Sequence, residues 1–330
     1  MRYLLLLTFS LAAFGQEGPY RILKTAKVGG AGGFDYVTAD SVARKLYVSR
    51  SGAGARVTVF DLDSLAPAGE IPGVSSHGVV ISKSGHGFAS SKPVVMFDSK
   101  TLAPIRNIEV EGNPDGMLYD AFNDHVYVLS HREPHVTVLN AADGAIVGTA
   151  NIGGAPEQAA SDGKGHIYID VEDKANVAVL DAKTLMVTAH YDVTGKGDVC
   201  AGLALDVKNN VLFAACRNPQ NMVMLSATDG KVLTTLRLGA GTDGAVFNPA
   251  TMEAFSSQGD GTLTIIKENG PMSFVVEQTL KTMVSAKTMA LDEKTGYLYL
   301  IAAEFGPAPT GGRGRGPLVP DSFTILVVGK

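Results

Sequence analysis

Apolar and polar residues alternate at period 2 through most of the chain, in short runs closed by Asp, Asn, Ser or Gly. That is the spacing of β-strands, and no long stretch of period 3.6 competes with it. One run recurs: VTVFD (57–61), VVMFD (94–98), VTVLN (136–140), VAVLD (177–181), MVMLS (222–226), LTIIK (263–267) and FTILV (323–327). A second apolar run precedes each, from KLYVS (45–49) to YLYLI (297–301). A third opens each unit: DYVTAD (35–40), HGVVIS (77–82), DGMLYD (115–120), EQAASD (157–162), AGLALD (201–206), DGAVFN (243–248) and KTMALD (287–292). A fourth follows in the first six units, as in IRNIEV (105–110). The seventh unit ends at Lys330 without one, and YRILKTAKV (20–28) carries the same pattern at the other end. Units that recur every 38–44 residues with four short strands each predict an all-β, seven-bladed β-propeller of four antiparallel strands per blade. The strand at 20–28 is expected to close the ring, which removes the free sheet edges.

Composition refines this picture at both ends. Arg2, the apolar run from Leu4 to Phe14, and the small residues of Ala13-Phe14-Gly15 have the order of a secretory signal peptide over 1–15. The run is too short for a permanent membrane span. The remainder, 16–330, is expected to be a single propeller domain, periplasmic or secreted, with no transmembrane segment after signal removal. The net charge is −5 and no Lys/Arg cluster stands out, so a nucleic-acid partner is not expected. The last unit is longer than the others by FGPAPTGGRGRGPLVPD (305–321), whose Gly and Pro content predicts a flexible loop. GGAGG (29–33) precedes a strand and not a helix, so it reads as a flexible entry to the first blade and not as a phosphate loop.

The pattern of residues 46–65, LYVS followed by VTVFD and SL, resembles the YVTN repeat, and FDSKTL (97–102) and LDAKTL (180–185) are similar to its D-x-x-T ending. The resemblance covers essentially all of 16–330. It implies the propeller fold. It does not carry a function, because such families resemble cell-surface proteins, lactonases and propeller subunits of quinoprotein dehydrogenases alike.

Candidate chemistry comes from comparing equivalent positions. The sixth position of the opening strand reads Asp40, Ser82, Asp120, Asp162, Asp206, Asn248 and Asp292, the near-uniform residue set of a tight turn. The first position varies: Asp35, His77, Asp115, Glu157, Ala201, Asp243 and Lys287. The opening strand of each blade lines the central channel, so these side chains are expected around one channel mouth, as a ligand site. Asp115, Glu157, Asp243 and His77 form a candidate metal set for a divalent cation such as calcium. The loops on the same face add His131, Arg132 and Arg217 as ligand-binding candidates.

Cys200 and Cys216 are the two cysteines of the chain, and export favours a disulfide between them. Counting back from the VKNN turn (207–210) puts Cys200 opposite Arg217, one step off register, and either a five-residue turn or a bulge at Cys200 is needed to align the pair. No GxSxG elbow, HExxH helix or Walker loop is present. The chain therefore reads as a monomeric binding or scaffold protein that takes a small molecule or a protein partner on its top face. A metal-dependent, lactonase-like hydrolase at the channel mouth is the alternative, and a partner of a periplasmic redox enzyme is a third reading.

Overall fold

Our structure is a computed structural model, which describes residues 18–52, 54–270, 272–307 and 316–330. The proposed signal peptide lies outside the described residues. The strands group into seven four-stranded antiparallel sheets. Six are consecutive in sequence, with bounds 33–72, 79–108, 114–150, 156–192, 198–237 and 242–281, and form blades 1 to 6. Blade 7 takes Met289–Asp292, Tyr297–Ala302 and Thr324–Gly329, and its outermost strand is Arg21–Lys27. No described helix is long and apolar enough to cross a membrane.

Alternation at period 2 explains how the blades pack. Neighbouring residues of a strand point to opposite faces, and in a propeller both faces meet another blade. Leu212 and Ala214 pack towards blade 4 with Tyr168 and Val177, whereas Phe213 and Ala215 pack towards blade 6 with Ala245 and Ile266. Seven apolar clusters of this kind occupy the seven seams, including that between blades 7 and 1, where Ile325 and Tyr299 meet Leu46 and Val48. The turns follow the sequence equally closely. Asp40, Asp120, Asp162, Asp206, Asn248 and Asp292 each accept a backbone N–H two residues on. In the D-x-x-T turns, Asp98 accepts from the N–H and hydroxyl of Thr101, and Asp181 does the same with Thr184. The leucine that follows each, Leu102 or Leu185, turns the chain at positive φ.

Ring closure is a backbone ladder running from Arg21↔Gly329 to Lys27↔Thr324. Both sides of the closing pair are fastened to blade 6 as well. Tyr20 is buried edge-on against Phe255, donates its phenol hydrogen to Glu253, and exchanges two hydrogen bonds with the Gln278 amide. Lys330 reaches the same buried Glu253 at 2.7 Å. The glycine-rich entry 29–33, expected to be flexible, is pinned: Arg50, 1 % exposed, stacks on Phe323 and donates to the carbonyls of Gly29 and Ala31. A side chain at Gly30 (φ +91°) would stand 2.6 Å from the Arg56 guanidinium, so glycine is required there. The long insertion of blade 7 also departs from expectation at its base. Phe305 bridges to Leu318, Gly306 N–H donates to Pro317, and Val319 N–H donates to Glu304, which extends the hairpin. Residues 308–315, with Arg313 and Arg315, lie outside the described residues.

Cys200 and Cys216 are joined, with S–S 2.03 Å. The register shifts between Cys200 and Gly202, so that Cys200 faces Cys216 directly.

Two predictions follow from closure and from the bond. Tyr20→Ala empties a buried aromatic site at the closing seam and is expected to destabilise the protein by about 3–5 kcal/mol, read as a fall in melting temperature; Tyr20→Phe should fall much less. Unfolded, unreduced protein should titrate no free thiol, and reduction should cost up to about 3 kcal/mol for a loop of this length, read by denaturant titration.

Candidate functional site

The first positions of the opening strands are set apart by the backbone itself. Register shifts occur between Phe34 and Val37, Pro114 and Met117, Pro156 and Ala159, Cys200 and Gly202, and Thr242 and Ala245. Asp35, Asp115, Glu157, Ala201 and Asp243 therefore all fall in bulges, and His77 and Lys287 lie just before their strands. A bulge releases its residues from the ladder and re-aims their side chains. The freed backbone groups bond between blades. Tyr36 N–H donates to His77 O at 3.0 Å, and the Gln158 amide oxygen accepts from both Leu203 and Ala245 at 3.0 Å.

The result is a cavity of about 280 Å³ at the top of the channel, lined by Asp35, His77, Asn113, Asp115, His131, Glu157, Arg217, Asp243 and Lys287. Its polar groups divide into two halves. In one, Asp243 is clamped between the Arg217 guanidinium and the Lys287 ammonium, and Arg217 also bonds Thr242 O at 2.9 Å and approaches Glu172 at 3.4 Å. Lys287 lies 3.4 Å from Asp35 as well, and Asp35 bonds His77 Nδ1 at 2.7 Å. In the other half, Asp115 Oδ2 is 3.0 Å from His131 Nε2, which is 3.6 Å from Glu157 Oε1. Glu157 Oε2 accepts the Tyr36 hydroxyl at 2.9 Å. Tyr36 lines the channel beneath the mouth, so it supports the cavity from below.

Negative charge is concentrated here and little of it reaches solvent. Burial, and after it the charges of Asp115, Asp243 and Glu172, push the Glu157 carboxyl up to about 8. Asp115 beside it, against the opposing effect of burial, raises the His131 pKa. Burial disfavours the charge of Asp35, but His77 and Lys287 outweigh it and lower its pKa. Behind the bulged pair Glu157–Gln158 stands Asp170, opposite them in the second strand of blade 4, fully buried with neither carboxyl oxygen hydrogen-bonded. Burial first, and Glu157 second, raise its pKa well above the usual carboxylate range.

The structure thus brings together Asp35, His77, Asp115, Glu157, Asp243, Lys287, His131 and Arg217. Arg132 is not among the lining residues: it is exposed, and its backbone carbonyl caps Ser130. The expected metal set also changes. Asp243 leaves it, because two cations occupy its oxygens, and His131 enters it, while His77 and Asp115 group with Asp35. Tyr36, Asn113 and Asp170 escaped sequence reasoning as site residues. Tyr36 had a signal: the second position of the opening strand is glycine in Gly78, Gly116, Gly202 and Gly244, and Tyr36, Gln158 and Thr288 break that rule. All three bond other blades. Crowding at the axis requires two of these glycines, since a Cβ on Gly202 would meet Gly244 at 2.6 Å and one on Gly116 would meet the Glu157 carbonyl at 2.8 Å.

The class of protein follows from this architecture: a seven-bladed β-propeller with WD40-repeat structural neighbours. The chain is similar to the WD40 repeats of RRP9, with TM-score 0.74 and 12% identity over 94% of this chain and 99% of that one. It is similar to U3-55K, with TM-score 0.74 and 11% identity over 95% and 99%. It also resembles a chain of the mitotic checkpoint complex, with TM-score 0.75 and 12% identity over 98% of both. No protein-family model and no curated protein matches the chain.

Asp170 generates a pH prediction. The native state holds its proton to higher pH than the unfolded chain does, so this group costs stability as pH rises above the unfolded carboxylate pKa of about 3.9. Asp170→Asn removes that cost. The variant should melt above the wild type at pH 8, with the gap closing towards pH 4; a gap of constant size would refute the raised pKa.

Proposed function

We propose that the chain is an exported propeller of YVTN type that binds a small polar ligand in the top-face channel mouth. The observation that carries this reading is the recess of the charged groups. Asp115, Glu157 and Asp243 are 9 %, 8 % and 6 % exposed, yet all three line an open cavity. A protein partner lying across the face would touch the rim and not these groups, whereas a molecule of small-metabolite size enters the cavity. The cavity carries groups of both signs, with Arg217 and Lys287 facing His131 and Glu157, so a ligand with an anionic oxygen at one end suits it. The D-x-x-T turns at Asp98 and Asp181 support the YVTN assignment, and the charged-apolar-small order of 1–15 supports export.

A thermal-shift screen of small carboxylates, amino acids, sugars and sugar acids tests the reading. A ligand at 100 times its Kd adds about 2.7 kcal/mol to stability. Hits should lose their shift in Arg217→Ala and Lys287→Ala. Hits that persist in both variants would place the ligand elsewhere on the propeller.

A further inference from the structure

The geometry points to a transition-metal centre at the mouth, in which Asp115, His131 and Glu157 hold one divalent ion of the zinc or cobalt class. This deepens the reading of the mouth as the binding site and rests on it. Asp115 Oδ2, His131 Nε2 and Glu157 Oε1 stand 3.0 Å and 3.6 Å apart in sequence, and ligand atoms of the three residues lie within 4.8 Å of one another. Oxygen and nitrogen ligands at about 2.1 Å from a tetrahedral ion are about 3.4 Å apart, and the two measured distances straddle that value.

A second observation separates this set from a chance cluster of acids. His131 Nε2 is buried, and despite its 3.0 Å approach to Asp115 it makes no hydrogen bond. Asp115, 9 % exposed, has its other oxygen, Oδ1, 3.4 Å from His77 Nδ1 and likewise without a hydrogen bond. Buried polar atoms are nearly always hydrogen-bonded, so two orphans facing one cavity call for a ligand. The neighbouring set Asp35, His77 and Asp115 has no free imidazole nitrogen at its centre, because His77 Nδ1, 3.4 Å from Asp115 Oδ1, is already bonded to Asp35 at 2.7 Å.

The ligand types select the ion. One imidazole and two carboxylates suit zinc or cobalt, whereas calcium takes six to eight oxygens and no nitrogen, so the expectation of calcium gives way. Tyr36 holds Glu157 Oε2 at 2.9 Å and leaves Oε1 for the ion, the outer hydrogen bond that orients a ligating carboxylate. Three protein ligands leave one position of a tetrahedral ion open to the cavity, as in zinc sites that bind exchangeable ligands. Arg217 and Lys287 line the same cavity, so an anionic oxygen at the open position meets positive charge nearby.

The test is titration of chelator-stripped, full-length protein with Co²⁺, followed by its visible d–d absorption, and with Zn²⁺ by calorimetry. One equivalent per chain is expected. Affinity should fall at least a hundredfold in His131→Ala and in the near-isosteric Glu157→Gln, and about tenfold in Tyr36→Phe. Apo-state melting of each variant shows whether it folds, and Glu157→Gln keeps the test open if His131→Ala does not. His166→Ala, a change at a surface histidine paired with Asp162, should leave binding intact. No stoichiometric binding by the wild type, or binding that survives both ligand variants, overturns the metal centre. If metal fails while small ligands still depend on Arg217 and Lys287, this inference falls alone and the binding role stands.

Discussion

Everything in this molecule depends on one ladder, the antiparallel pairing of Arg21–Lys27 with Thr324–Gly329. Each seam between blades is a modest apolar cluster, and a row of such seams could fan open. Closure makes them mutually dependent, because the last seam forms only when the other six have set the right angle. It also defines the axis. The ring of first positions converges on a single cavity only because seven blades share that axis, so the site is a consequence of closure and not of any one blade. The fastening of both sides of the closing pair to Glu253 extends this dependence into blade 6, where Tyr20 and Lys330 meet one carboxylate.

The same backbone device serves disulfide and site. Inner strands crowd at the axis, and their first residues leave the ladder through bulges. In blade 3 the bulge turns Asp115 towards the channel. In blade 5 the equivalent bulge falls at Ala201, which has no polar atom to present, and its effect appears in the register: Cys200 is shifted by one and comes to face Cys216. The strand spacing alone set the two cysteines apart. The bulge is a response to packing around the axis, and blades 1, 3, 4 and 6 display it at the matching position.

Repetition explains what was legible in the chain. Seven copies of one unit expose every position that departs from its equivalents, and Asp35, His77, Asp115, Glu157, Asp243 and Lys287 were visible for that reason. The loop residues have no such internal comparison. His131 and Arg132 are adjacent in the loop SHREPH (130–135), and nothing in the sequence chooses between them; the turn sends His131 into the cavity and Arg132 to solvent. Tyr36 was a departure too, in a row of glycines, but its phenol acts across the channel on blade 4, and a reading blade by blade does not pair blades 1 and 4. Asp170 sits in a second strand, where the sequence looks like ordinary β-structure, and only the register places it behind the Glu157 bulge.

The partition of charge within the mouth explains why the cavity has two chemically different halves. Asp243 receives both strong cations, and Lys287 also supports Asp35, so these two carboxylates are compensated inside the protein. Asp115 and Glu157 have imidazole and phenol as neighbours, and the His131 imidazole, its pKa raised by Asp115, is the group among them that takes up positive charge. Proton uptake by Glu157 is the protein's own answer to that imbalance. Removing a permanent cation from the Asp243 half would redistribute Arg217 or Lys287 without creating a new ligand set, because their donors have other acceptors in Thr242 O, Glu172 and Asp35. The Asp115 half has no arginine or lysine in contact, only the His131 imidazole, and for that reason an external cation finds its strongest electrostatic demand there.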